Sequence, residues 1–252
     1  MLIDSPRLKH GDREHWSRLE RYDQAIGTRL DRKEEQAITR ITQWAAAGDG
    51  VCSVSWGKDS TVVAHLLALS GVRAPIVWVR SDPFEMPECD DVKDAFLATH
   101  TVEYVEKRAI LRNPKRGEEG YETHHTNPNK KHQDVLKENI RGRYISGVRA
   151  QESRMRQRSA RWHGTVSKNT CRPILDWTAE EVFAYMYREN LPVHPAYAMT
   201  YAGKLDRRWL RVHPLCSYHE ESSVHGRDMV SWEDDYYADA IHAAIQHRLI
   251  NR

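Results

Sequence analysis

Apolar residues recur at spacings of three and four through the first part of the chain, at Leu19, Tyr22, Ile26 and Leu30 and then at Ile38, Ile41 and Trp44. That period predicts a helical lead-in over residues 14–47, ended by Gly48-Asp-Gly50. The pattern then changes. Val51–Ser55 is a short apolar run that reads as a buried strand, and residues 59–69 return to helical spacing and are closed by Ser70-Gly71. Pro75-Ile-Val-Trp-Val79 predicts a second strand. Strand, tight loop, helix and strand in under thirty residues make a βαβ unit, whose strands should be parallel and whose crossover should be right-handed.

Further along, Val102–Glu106 predicts a third strand, residues 108–128 a long irregular loop with two Pro and two Gly, and residues 130–139 a helix. Tyr144–Val148 reads as a fourth strand. Residues 150–170 are polar and basic and read as a mobile loop over a site. Thr178-Ala-Glu-Glu181 is a capping box that starts a helix to about Glu189, stopped by Pro192 and Pro195. Ser231-Trp-Glu-Asp234 starts a terminal helix to about Leu249 in the same way. The fold expected is α/β: a doubly wound, mostly parallel sheet with helices on both faces and helical additions at each end. Residues 1–48 form the helical N-terminal extension, 49–200 the α/β domain, and 201–252 a C-terminal loop and helix packing on that domain.

Composition fits a folded, soluble chain: of 252 residues, 40% are hydrophobic and 29% charged. No apolar run approaches the ~20 residues of a membrane helix, and residues 1–16 lack the apolar core of a secretion signal, so a cytoplasmic location is expected and no membrane partner. The four cysteines at 52, 89, 171 and 216 include no CxxC pair, which argues against a disulfide framework and against a common zinc module. Charge is unevenly spread. Residues 107–172 hold 17 Lys and Arg against 6 Asp and Glu, an excess of +11 in a chain of net charge +2. Such a section suits a polyanionic ligand, and equally reads as solvated loops and helix faces.

The candidate chemistry lies between the first strand and its helix, at Ser55-Trp-Gly-Lys-Asp-Ser60. A Walker A loop needs Gly-x4-Gly-Lys-Ser/Thr, and here Gly50 and Gly57 are too far apart and Asp59 follows Lys58. The physical logic of an anion site survives. A strand turning into a helix presents free amides, Gly57 admits a phosphate close to the backbone, Ser55 and Ser60 add hydroxyls, Lys58 neutralises charge, and Asp59 is placed to hold magnesium. Alone, the same residues read as well as a capped turn.

Three further stretches carry a resemblance. Ser55-x-Gly57-x-Asp59-Ser60 resembles the pyrophosphate loop of the adenine nucleotide alpha-hydrolase superfamily, whose members bind ATP and often cleave it between the α and β phosphates. Ser81-Asp-Pro-Phe-Glu-Met-Pro-Glu88 is similar to the Asp-Thr-Gly-x-x-Phe-Pro-Glu-Thr segment of its phosphoadenosine phosphosulfate (PAPS) reductase branch, with Cys89 in place of the last Thr and no Gly. Ile145-Ser-Gly-Val-Arg-Ala-Gln-Glu-Ser-Arg154 and Cys171-Arg-Pro-Ile-Leu-Asp-Trp-Thr178 resemble two later segments of that branch, in the same order. The resemblance implies that Ser55, Trp56, Gly57, Lys58, Asp59 and Ser60 cradle phosphates, that Val79, Arg80, Ser81 and Asp82 lie near the adenine, and that Gly147 and Arg149 face the nucleotide. Arg149, Arg154, Arg156 and Arg158 carry forked donors suited to phosphate or sulfate oxygens, although for the last three an exposed helix face is an equal reading. Asp176-Trp177 reads as a loop acceptor beside a core indole.

The resemblance implies ATP, or PAPS or its relative APS, as the nucleotide, with Mg²⁺ beside it. Lys58, Asp59 and Arg149 are the expected catalytic residues. The chain departs from the PAPS reductases in lacking their C-terminal Glu-Cys-Gly-x-His segment, since it ends Ile245-Gln-His-Arg-Leu-Ile-Asn-Arg252. Four scattered cysteines do not suit an iron–sulfur cluster. Cys216, in His213-Pro-Leu-Cys-Ser-Tyr-His219 with His225 following, is a candidate thiol, and zinc is a weaker reading of the group. His124-His125 reads as a loop pair. Three functions compete: an ATP-using enzyme that activates an acceptor, with a nucleic acid partner suited to section 107–172; a PAPS or APS reductase with a displaced nucleophile, Cys216 or Cys89; and a non-catalytic nucleotide-binding regulator acting with another protein.

Overall fold

The computed structural model describes residues 1–110, 128–139, 142–215 and 229–250. In chain order the elements are α1 (His10–Gly27), α2 (Asp31–Ala45), β1 (Val51–Val54), α3 (Lys58–Ser70), β2 (Ile76–Asp82), α4 (Glu88–Leu97), β3 (Tyr104–Ile110), α5 (Pro128–Asn139), β4 (Tyr144–Ile145), α6 (Arg154–His163), β5 (Thr170–Cys171), α7 (Ala179–Arg188) and α8 (Val230–Ile250). Among the described residues the five strands form one parallel sheet in the order β3-β2-β1-β4-β5, flanked by helices. It is a doubly wound α/β fold. Register is direct: Cys52 lies beside Ile76 on one side and Ile145 on the other, and Ile145 beside Cys171. The chain runs outward from β1 through β2 to β3, then returns to the other side of β1 for β4 and β5. The carboxyl ends of β1 and β4 therefore flank a topological switch point, where such sheets bind ligands.

Local chemistry explains the elements around that point. β1 alternates half-buried and buried residues, with Cys52 and Val54 inward. α3 is buried from Ser60 to Leu67, as an apolar run without a polar face requires, and Gly71 closes it at φ +69°, a conformation that favours glycine. α7 begins on the expected capping box: Thr178 Oγ1 accepts from the Glu181 amide at 3.2 Å and Glu181 Oε2 accepts from the Thr178 amide at 2.7 Å.

The chain divides into two compact units. The first comprises Met1–Trp78, Glu88–Val105 and Ile140–Val212. Within it, the N-terminal helices are tied to the α7 region by Lys33–Glu181 at 2.6 Å and Arg40–Asp176 at 2.6 Å, and to a 3₁₀ turn at Arg207–Trp209 by Asp23–Arg207 at 2.5 Å. Asp176 is thus a side-chain acceptor, and Trp177 is buried. The second unit comprises Val79–Pro87, Glu106–Asn139 and His213–Arg252. There the Leu215 amide donates to Phe84 O at 2.7 Å, and His213 Nε2 lies 2.8 Å from Glu233 Oε1 on α8.

Several expectations need correction. The lead-in is two helices, broken at Thr28–Leu30, where Leu30 turns into the core. Residues 150–163 are not a loop: a 3₁₀ turn at Ala150–Glu152 and α6 occupy them, and only 164–169 connect α6 to β5 without a helix or strand. The fourth strand is only Tyr144–Ile145. α8 starts at Val230, so Ser231 sits in its first turn rather than capping it. Residues 108–110 extend β3, while 111–127, with His124 and His125, lie outside the described residues. Among the described residues no helix is long and apolar enough to cross a membrane.

One buried group gives the first unit a pH dependence. His65 on α3 lies 2.8 Å from His100 Nε2 through Nδ1 and 3.8 Å from Glu189 Oε2 through Nε2, with the Tyr185 ring against it. Burial, aided by His100 and opposed by Glu189, lowers its pKa to about 4. Because the folded pKa lies below the unfolded value near 6.5, the unfolded chain binds the extra proton between those values. Stability should fall by about 3 kcal/mol as pH drops from 6.5 to 4. Denaturant titrations across that range should show the decline in the wild type and a flatter profile in His65→Gln; equal slopes would remove the assignment.

Candidate functional site

The site is built from the loop after β1. Ser60 Oγ accepts from the Ser55 amide at 3.1 Å and donates to Gly57 O at 3.0 Å, so this hydroxyl ties the loop to itself. Ser55 is exposed, and its hydroxyl lies 3.4 Å from Ser60 Oγ. Trp56 has φ +54°, a left-handed conformation that costs a bulky residue free energy. Its indole secures that conformation by filling the core, edge-on to Trp78 at 6.4 Å and tilted on Phe96 at 5.5 Å. Any contact Trp56 makes with a ligand therefore comes from its backbone. Gly57 packs so closely that a Cβ there would lie 2.9 Å from the Tyr197 hydroxyl.

A helix start leaves its first amides without intrahelical acceptors. At α3, Tyr197 Oη accepts the Lys58 amide at 3.1 Å. The next link is electrostatic. Lys58 Nζ donates to Asp59 Oδ2 at 2.7 Å, and Arg149 Nε donates to Asp59 Oδ1 at 2.5 Å. Both cationic side chains are 3% exposed. Burial pushes the Asp59 carboxyl up, but Lys58 and Arg149 outweigh it and hold it below the usual carboxylate range. Burial also pulls Lys58 below the usual lysine range, against the pull of Asp59.

The end of β4 delivers the second half. Gly147 lies against the start of α3, where a Cβ would meet Asp59 C at 2.7 Å and the Ser60 amide at 2.9 Å. Arg149 Nη1 donates to Gln151 Oε1 at 3.0 Å, and the same oxygen accepts the Ala179 amide of α7 at 2.7 Å. Glu152 accepts from the Arg149 amide at 3.0 Å and pairs with Arg156 on α6. Arg156 and Arg211 complete the set. Burial lowers both, and each also feels Arg149 as a repelling charge and Asp59 as an attracting one.

The structure thus brings together Ser55–Ser60, Gly147 and Arg149, as expected. It turns Arg154 outward to solvent and Arg156 inward, so Arg156 is the α6 arginine that shares the field of Asp59. Val79, Arg80, Ser81 and Asp82 belong to the second unit, where Asp82 pairs with Arg80 at 2.6 Å and Arg108 at 3.2 Å and the Ser81 amide donates to Glu85 at 2.9 Å. Sequence reasoning did not single out Tyr197, Gln151 or Arg211. Tyr197 is 139 residues from Lys58, and nothing local marks the pairing. Gln151 stands inside a recognised segment and only its contacts reveal its role.

The donor set also tests the expected magnesium. Each Asp59 oxygen already accepts from a cation, so the carboxylate is the counter-ion of Lys58 and Arg149 and does not fit as a metal ligand. Among the described residues no group of three or more His, Cys, Asp or Glu could hold a metal ion. Cys216, His219 and His225 lie outside the described residues. Cys52, Cys89 and Cys171 are buried, and burial pushes the Cys52 and Cys171 thiols up to about 12.

Residues 49–203 match the phosphoadenosine phosphosulfate reductase domain. The chain belongs to that family. Within the PAPS reductase domain family it is 26% identical over 208 residues to a phosphoadenosine 5'-phosphosulfate reductase of Synechococcus sp., covering 72% of this chain and 83% of the relative. It is 24% identical over 202 residues to a phosphoadenosine 5'-phosphosulfate reductase of Synechocystis sp., covering 75% and 80% respectively. The PAPS reductase-like family is one of enzymes acting on an adenine nucleotide, and the matched span contains Ser55–Ser60, Gly147, Arg149, Arg156 and Tyr197, while Arg211 lies beyond it.

Proposed function

We propose that this PAPS reductase-like chain binds the phosphates of ATP at the Ser55–Ser60 loop and activates an acceptor by cleaving the α–β bond. The observation that carries this reading is the gathering of Lys58, Arg149, Arg156 and Arg211 at a helix start, four cations that share two carboxylates, Asp59 with Lys58 and Arg149 and Glu152 with Arg156. Cations that repel one another at a switch point are relieved by a polyanion, and pyrophosphate supplies the charge. An acceptor lone pair forms the new bond to the α-phosphorus, the bond to the bridging oxygen breaks, and its electron pair departs on pyrophosphate. The acceptor's proton passes to solvent. Arg149, Arg156 and the α3 amides oppose the growing negative charge, and Asp59 holds Lys58 and Arg149 in place beforehand. Magnesium enters with the nucleotide as its complex rather than on Asp59.

The relatives' names favour a second reading, reduction of a sulfonucleotide by a thiol. The described cysteines are all buried, which leaves Cys216 as the thiol to test. Titration calorimetry with Mg·ATP, APS and PAPS, beside assays of pyrophosphate and of thioredoxin-dependent sulfite, separates the readings. Mg·ATP is expected to bind tightest and to release pyrophosphate with an acceptor, and Arg156→Gln to weaken binding about tenfold or more. Preference for PAPS, with sulfite release abolished in Cys216→Ser, would overturn the ATP reading. Nucleotide binding without either product would make the chain a regulator.

A further inference from the structure

α6 is a helix with no buried residue. Its ends are capped instead: Ser153 Oγ accepts the Arg156 amide at 3.1 Å, and the Gly164 amide donates to Ala160 O at 2.9 Å. At about 100° per residue, Arg161, Arg154, Arg158, Trp162 and Met155 fall within one sector of about 120°. All five are exposed, with Trp162 at 85% and Met155 at 79%. The half-buried residues Arg156, Ser159 and Ala160 occupy the opposite side. One helix therefore turns one arginine toward the nucleotide loop and three, with an indole among them, toward solvent.

We propose that this outer face of α6 binds a single-stranded polynucleotide, which is the acceptor of the reaction. The identity of the acceptor rests on the ATP reading above; the binding surface does not. Guanidinium groups match phosphates bidentately, and an exposed indole offers a stacking platform to an unpaired base, whereas paired bases hide their faces in a duplex. A membrane surface is the poorer match. Interfacial helices segregate an apolar face from a basic one, and here Trp162 and Met155 share a sector with the arginines.

Fluorescence anisotropy with labelled 20-mers of dT and of rU tests this, with a duplex, heparin and phosphatidylserine vesicles as comparison probes. The wild type should bind both single strands in ~50 mM salt and the duplex more weakly, and the preference between dT and rU identifies DNA or RNA. Trp162→Ala should weaken oligonucleotide binding about tenfold while leaving heparin binding unchanged. Arg158→Gln with Arg161→Gln should reduce the slope of log affinity against log salt by about 1.4. No oligonucleotide binding in the wild type would overturn the proposal. So would Trp162→Ala with unchanged affinity, or equal loss of vesicle binding in the same variants. Mg·ATP titration of Trp162→Ala keeps the two readings apart, because its nucleotide affinity should equal that of the wild type. Oligonucleotide binding without pyrophosphate release leaves the surface standing and removes the reaction; the converse removes the surface alone.

Discussion

Asp59→Ala is expected to lower the unfolding free energy by about 3–5 kcal/mol, because it leaves two buried cations without their carboxylate. Read as sequence, Asp59 is a loop residue whose loss should end pyrophosphate release and spare the fold. The structure changes that expectation: Lys58 and Arg149 are each 3% exposed, and each donates to one oxygen of Asp59. Lys58→Met, which keeps the packed stem and leaves Asp59 with Arg149, should cost far less stability while still ending pyrophosphate release. Urea denaturation of the two variants measures the contrast, and a loss below about 1 kcal/mol in Asp59→Ala would show that water, not Asp59, compensates the cations. The sign with pH follows from the depressed carboxyl. Its contribution is present above the unfolded value near 3.9 and is lost as pH falls through the lower folded value. The gap between wild type and Asp59→Ala should therefore hold from pH 5 to 8 and close below about pH 4.

Gly147→Ala is expected to disable the loop from the other side. A Cβ there would sit 2.7 Å from Asp59 C and 2.9 Å from both Asp59 O and the Ser60 amide, all backbone atoms of the first turn of α3. Backbone in a packed helix start gives way less readily than a side-chain tip, so an overpacking cost of about 1–3 kcal/mol is expected. The displaced turn should also move the Arg149–Asp59 pair. Nucleotide affinity should then fall at least tenfold by calorimetry even at a temperature where the variant is folded. Wild-type affinity and stability together in Gly147→Ala would show that β4 does not brace the loop.

Much of this was legible because it is local. The switch from helical spacing to the run at Val51 and back again located β1 and α3, and the Thr178–Glu181 box located α7. Other elements lack a local signal or carry only a short one. α6, with only two large apolar residues among its ten, offers no period to detect, so its polar composition read as loop. α4 did offer one: Cys89, Val92 and Phe96 fall at helical spacing behind Glu88, Asp90 and Asp91 in its first turn.

By itself the sequence determined the parallel α/β class and the strand–loop–helix at Ser55–Ser60, since propensity, capping and hydrophobic period act over a few residues, and the motif segments from Ser55 to Thr178, in order, carried the resemblance to the family. Only the tertiary structure decided what those residues do to one another. Whether Asp59 meets a metal or two cations depends on Arg149, 90 residues away, and on burial that removes water as the competing partner. Whether Trp56 faces a ligand or the core depends on Trp78 and Phe96, and whether an α6 arginine faces the loop or solvent depends on which side of the helix is packed.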